Sequence, residues 1–404
     1  MRVMLVTGEY PPMRGGVGDY TSLLGQALAR LGVDVTIVTS SRVETRPEEP
    51  VPVRPVVTSW GFPAWNAIGR VISEIAPDVV HLQYQTGAFD MRLGVNLFPW
   101  ILRLRSSRPR IVVTFHDLKE PYILPKLGAA RHAATHVLAA GADAVVVTNT
   151  DDLARVTRGR GGTRTALGWG KRPLYAIPIG SNIPSRPLTE QERTVRRRQL
   201  GVSDADLLLV YFGFLHPSKG LETLAEAFVR LVQDERPVHL LMLGAPARDH
   251  GKDDHPYVVR IRQRLAEPAV RERVIWTGFL PARCIAACLA AADVSVLPFA
   301  EGASLRHGTL IAAIVNHLPI VTTRPRVALP PLPSLVAGEN ALLVPPGDAR
   351  ALAEAIDLLI ARPELRRHLA AGAARLAPHF DWEEIARATL KMYRELAASS
   401  GSRP

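Results

Sequence analysis

The stretch "PSRPLTEQERTVRRRQLGVSDAD", residues 184–206, decides how the chain is read: a run of apolar strands stops before it and a second run starts after it. Upstream stand "RVMLVT" (2–7), "DVTIVTS" (34–40), "VVHLQY" (79–84), "RIVVTF" (110–115), "AVVVTN" (144–149) and "LYAIPI" (174–179). Downstream stand "LLLVYFG" (207–213), "HLLMLG" (239–244), "VIWTG" (274–278), "VSVLPF" (294–299), "PIVTT" (319–323) and "ALLVPP" (341–346). Between them lie helical segments such as "DYTSLLGQALARLG" (19–32), with apolar residues at three- and four-residue spacing and a closing Gly. Uninterrupted apolar strands alternating with helices predict parallel sheets covered on both faces. The expected fold class is therefore α/β, with two doubly wound Rossmann-like domains at residues 1–186 and 187–378 and a terminal segment at 379–404. In such sheets ligands bind at the strand C-termini, and two domains facing each other would set those edges on the walls of one cleft.

The composition agrees with two folded domains. A chain of 404 residues exceeds what one core usually serves, and 47% hydrophobic with 22% charged residues is globular. No apolar run approaches the roughly 18 residues that span a bilayer, and "MRVMLVTGEY" reads as a first strand and not as a signal segment. These features predict a cytoplasmic chain. The two cysteines, Cys284 and Cys288, have no nearby His or Cys and read as core packing. A net charge of +11 favours anionic partners, with basic residues gathered at 102–110, 158–172 and 193–200. Those runs lack interleaved aromatics and any nucleic-acid-binding signature, so nucleic acid is excluded. They read as solvated faces, or as the surface by which the chain would touch the inner face of a membrane.

The turns after the strands carry the chemistry. In "GEYPPMRGGVGDY" (8–20), Gly15, Gly16 and Gly18 admit a close ligand, and the following helix offers its first amides to an anion. The spacing is not G-x-G-x-x-G, and the second strand ends without an acid for a ribose, which argues against a nicotinamide dehydrogenase. "TFHD" sets His116 at a strand end, where an imidazole could bind a substrate hydroxyl. "YFGFLHPSKGLETLAEAF" (211–228) sets Lys219 in a strand-to-helix loop suited to a diphosphate. "FAEGASLRHGTLIAAIVNHLPIV" (299–321) adds Glu301, Ser304, Arg306 and the Gly308 and Thr309 amides at a helix start.

Taken in order, these segments resemble the retaining GT-B glycosyltransferases of family 4. The likeness extends through "VIWTGFLP" (274–281), "GENALLVPPGDARALAEAI" (338–356) and "FDWEEIARATLKMYREL" (380–396), nearly the whole chain. The resemblance implies transfer of a sugar from a nucleotide-diphosphate sugar to a hydroxyl acceptor of unassigned identity, with no cofactor beyond that co-substrate. It implies a final helix returning to the first domain, for which Asp381 is the expected N-cap and Glu384 its partner three residues on. By the same resemblance Lys219 contacts the donor diphosphate, Gly15 and Gly16 lie in the loop against the donor phosphates and acceptor, and His116 stands beside the transferred sugar. Glu301 would hold sugar hydroxyls, and the backbone at Gly278 and Phe279 the base.

Two positions depart from the family pattern. Phe214 stands where an Arg is expected, and Thr309 where a second acid is expected eight residues after Glu301. Arg306 would restore the missing cation, and the Thr309 hydroxyl would bond a ribose or phosphate oxygen without repulsion. Such losses would also suit a non-catalytic descendant, against which His116, Lys219 and Glu301 are retained. The spacing Asp204-x-Asp206 reads as a solvated turn, and metal-independent transfer is expected.

Overall fold

The computed structural model describes residues 1–13, 15–44, 48–105, 108–118, 128–160, 172–245, 256–327 and 332–399. The chain forms two units. One comprises Met1–Gly180, Leu329–Leu332 and Asp381–Pro404; the other comprises Ser181–Ala328 and Pro333–Phe380.

The first unit is built on seven strands: β1 (Arg2–Thr7), β2 (Asp34–Ser40), β3 (Val53–Val57), β4 (Val79–Tyr84), β5 (Arg110–Phe115), β6 (Ala144–Val147) and β7 (Leu174–Ala176). They lie all parallel in the order β3-β2-β1-β4-β5-β6-β7. β4 is buried along its whole length, its polar His81 and Gln83 included. β3 was not expected; its Pro55 and alternating exposure suit only an edge. One face carries Met4, Val80, Leu82 and Val113 against the helix Phe62–Ile75 and the segment 93–102. The other carries Val3, Leu5, Ile37 and Val112 against the first helix, Gly16–Arg30, and the final helix, Trp382–Ala398.

The final helix is tied into the sheet by polar contacts as well as apolar ones. His81, fully buried in β4, shares hydrogen bonds with Tyr393 Oη at 2.5 Å and Thr114 Oγ1 at 2.6 Å. Asp381 caps the helix, accepting from the Glu383 amide at 2.7 Å, whereas Glu384 bonds Arg387 and not the cap. Burial, reinforced by His116, pulls His81 down to about 3, and burial alone does the same to His116. Both are bases whose folded value lies below the usual 6.5, so between pH 6.5 and 3 the unfolded chain binds protons that the folded unit refuses. Stability is full above that window and falls as pH drops through it, by about 1.4 kcal/mol per pH unit for a fully buried group such as His81. Urea melts from pH 7 to 4 should show this loss, and His81→Gln should flatten it.

The second unit has six strands: β8 (Leu207–Phe212), β9 (Val238–Leu243), β10 (Val274–Gly278), β11 (Val294–Leu297), β12 (Ile320–Thr323) and β13 (Leu342–Val344). They run parallel in the order β10-β9-β8-β11-β12-β13. Its entry helix, Glu190–Gln199, starts with a Thr189–Glu192 capping box. The basic run there is not wholly solvated. Arg197 is buried, bonded to Asp293 at 2.9 Å and to the Ser203 and Asp206 carbonyls at 2.8 and 2.6 Å. The Asp204-x-Asp206 pair is drawn into the same anchor: Asp204 lies 3.6 Å from Arg197, and Asp206 lies 3.2 Å from His239. Most of the basic run at 158–172 lies outside the described side chains. Cys288 is buried and Cys284 partly so.

Candidate active site

In each sheet the strand order reverses once, between β1 and β4 in the first unit and between β8 and β11 in the second. Such reversals open a crevice at the strand C-termini, because successive crossovers leave in opposite directions. The candidate residues fall after those strands: Gly15 and Gly16 after β1, His116 after β5, Lys219 after β8 and Glu301 after β11.

In the first unit the loop after β1 turns back on itself. Gly15 is the N-cap of the first helix, and a Cβ there would lie 2.0 Å from Glu9 Oε1, so a larger residue would displace that carboxylate. Glu9 accepts from the Val17 and Gly18 amides at 3.1 and 3.3 Å. The helix amides that the sequence offered to a ligand anion are therefore bonded to the protein's own carboxylate. Sequence reading missed Glu9, since nothing in the spacing tells which acid folds back on a helix start. Gly16, by contrast, faces open space. Asp19, one turn on, is pushed up to about 6 by burial and by the Glu9 charge.

Tyr20, on the same helix, packs edge-on against the His116 ring at 4.5 Å, linking the glycine loop to the histidine. His116 Nε2 donates to Gln83 Oε1 at 3.0 Å, which leaves Nδ1 of the neutral ring as an acceptor. The Gln83 Nε2 donor is buried without a partner among the described residues. Buried donors are rarely left so.

In the second unit Lys219 closes the single turn Pro217–Lys219 at the start of the helix Leu221–Gln233. Its Nζ lies 5.1 Å from the Phe299 ring centroid and makes no hydrogen bond or ion pair among the described residues. Burial, then the nearby Arg306 charge, lowers it to about 8. Arg306 reaches Glu301 at 3.9 Å, and its amide meets the buried Ser304 Oγ at 3.5 Å. Lys219, Arg306 and Glu301 are thus brought into one cluster before the helix Gly308–Val315, whose first residue, Gly308, is open. Thr309 Oγ1 is buried and unbonded among the described residues, and Thr309 Cγ2 lies 3.5 Å from where a Gly213 Cβ would be.

Gly278 and Phe279 stand apart from that cluster, at the end of β10 with β9 between them and β8. A ledge joins them. Gly213, Gly244 and Gly278 end the three adjacent strands with φ of +155°, +156° and +64°, and a Cβ at Gly244 would lie 1.9 Å from the Gly213 carbonyl oxygen. Exposed Phe214 and Phe279 follow the outer two. The signal was in the sequence, since "YFG", "MLG" and "WTG" each close a strand with glycine.

Two parallel Rossmann-like units, each with convergent polar groups at its switch point, define a GT-B protein. The family profile described as "Glycosyl transferases group 1" matches residues 206–362, and that described as "Glycosyl transferase 4-like domain" matches residues 15–167. The chain belongs to this glycosyltransferase family, and it is a glycosyltransferase. It is 26% identical to a D-inositol 3-phosphate glycosyltransferase of Xylanimonas cellulosilytica, over 94% of this chain and 92% of the relative. Among solved structures it is similar to sucrose-phosphate synthase of Thermosynechococcus elongatus, with a TM-score of 0.74 and 22% identity over 99% of this chain and 100% of that one. Anabaena HepE, solved in complex with UDP and glucose, gives 0.71 and 19% over 97% and 99%.

Proposed function

We propose that the protein is a retaining glycosyltransferase that takes a sugar from a nucleotide-diphosphate donor and passes it to a hydroxyl acceptor without a metal ion. The observation that carries this reading is the Lys219 ammonium, partly buried and without a counter-charge of its own among the described residues, beside Arg306 at an open helix start. An unpaired buried cation is costly, and a diphosphate is the anion that would repay two cations and a set of amides. The pair supplies the charge that a divalent ion would otherwise bring to the leaving group.

In this reading the diphosphate lies against Lys219 and Arg306, with the Gly308 and Thr309 amides and the Thr309 hydroxyl on its remaining oxygens. The glycine ledge seats the nucleoside, with Phe279 at the base, and Glu301, steadied by Arg306, holds sugar hydroxyls. Negative charge grows on the leaving phosphate as the glycosidic bond breaks, and the two cations stabilise it more in the transition state than before. The acceptor hydroxyl attacks from the leaving-group face, and the departing phosphate takes its proton. His116 Nδ1, its ring oriented by Gln83, is an acceptor for a substrate hydroxyl.

A thermal-shift screen with UDP, GDP, ADP and dTDP tests the reading, because a ligand that binds only the native state raises its melting temperature. One nucleotide should shift the wild type and not Lys219→Ala; no shift from any would overturn the donor assignment. Arg306→Ala should raise donor KM about tenfold, the weight of a charged hydrogen bond, and an unchanged KM would remove Arg306 from the site. Product NMR should show the donor's anomeric configuration retained, and activity should persist in chelator.

A further inference from the structure

About half of the large apolar side chains that the described residues expose to water lie on one face of the first unit: Phe62, Leu93, Leu97, Trp100, Leu104 and Val137. The segments that carry them are neighbours. Gly94 abuts Gly61, where a Cβ would lie 3.2 Å from the Gly61 Cα, so the backbone that carries Leu93 passes close to that which carries Phe62. Trp100 Nε1 donates to the Val137 carbonyl at 2.8 Å. Arg105, next to Leu104, bonds Ser73 Oγ at 2.6 Å on the helix that begins at Phe62. Phe62 is 70% and Leu104 85% exposed, far beyond what packing explains.

The charge around the patch has one sign. No acid occurs between Asp90 and Asp117, a segment with five arginines. Asp143 takes Arg103 and Arg108, at 3.4 and 2.8 Å. Arg70, Arg92 and Arg105 have no carboxylate partner among the described residues, whereas the nearby acids Glu74 and Asp90 are paired with Arg54 and Arg42.

We propose that this face docks the protein on an anionic lipid bilayer. Tryptophan, phenylalanine and leucine interleaved with unpaired arginines suit the boundary between headgroups and acyl chains. A second copy of this chain would bring like charges together, which disfavours a dimer through the same face. No helix among the described residues is long and apolar enough to cross a membrane, so docking would be at the surface. The inference does not depend on which donor the enzyme uses.

The test is flotation of the full chain with vesicles of phosphatidylcholine alone or mixed with phosphatidylglycerol. The protein should float only with the anionic vesicles, and less as salt rises. Arg92→Ala should weaken binding about fivefold, and Phe62→Glu with Leu104→Glu should abolish it while leaving the melting temperature unchanged. Independently of those variants, brominated lipid should quench tryptophan emission, and Trp100→Phe should remove much of that quenching. Equal flotation with both vesicle types, flotation unaffected by every substitution, or a self-association that the same substitutions abolish without vesicle binding would each overturn the proposal.

Discussion

Lys219→Ala lowers donor kcat/KM by about a hundredfold to a thousandfold, the cost of removing a cation on which a leaving group depends. The wild type carries a further signature. Because the Lys219 ammonium is lowered to about 8, the free enzyme loses the charge proposed to bind the diphosphate as pH rises past that value, and donor kcat/KM should fall with it. Lys219→Ala should lack that alkaline limb. Stability moves in the opposite direction. The unfolded chain holds this proton more tightly than the folded one, so between pH 8 and 10.5 the ligand-free protein sheds the cost of a buried charge. The melting-temperature gain on nucleotide binding should therefore shrink across that interval. A rate profile flat through pH 8 to 9 would show that Lys219 does not bind the donor.

Gly220→Ala is the substitution expected to do most damage to the fold beside the site. Gly220 sits at φ +69°, and a Cβ would lie 1.8 Å from the Pro298 carbonyl oxygen. The first fact alone costs about 1–2 kcal/mol. The second pushes apart the loops after β8 and β11, the two that carry Lys219 and Glu301. The total is expected to be on the order of 3 kcal/mol, or about 6–12 °C in melting temperature for a unit of this size. Gly201→Ala provides the contrast, since Gly201 has φ +72° with open space around it and should show only the smaller cost. Equal melting temperatures for the two variants would mean that the Pro298 contact yields without penalty.

Most of the fold was legible because parallel strands buried on both faces need mainly apolar runs, and twelve of the thirteen strands stood out in that way. β3 escaped because an edge strand with a proline makes no such run. That Lys219 and Arg306 stand at strand-to-helix turns was legible by the same logic. The Glu9 cap and the Gln83–His116 pair were not, because each joins residues whose meeting depends on how loops close: eight residues separate Glu9 from Val17, and thirty-three separate Gln83 from His116. Arg197 was misjudged for a related reason. A basic run on a helix shows which residues are charged, and only the position of Asp293, ninety-six residues on, shows which one turns inward.

The final helix has a consequence for how the protein is made. Its residues Ile385, Leu390, Tyr393 and Leu396 belong to the same core as Val3, Leu5 and Leu24, and Tyr393 supplies a partner for buried His81. A ribosome delivers Met1–Gly180 first, then the second unit, and only after it the segment that fills that core. Until then His81 lacks its phenol and the face under the first helix stays uncovered. The second unit, whose sequence is nearly continuous, is free to fold while its neighbour waits. A nascent chain that stalls shortly before residue 381 would therefore carry all the residues of the second unit while the core of the first still lacks one of its helices.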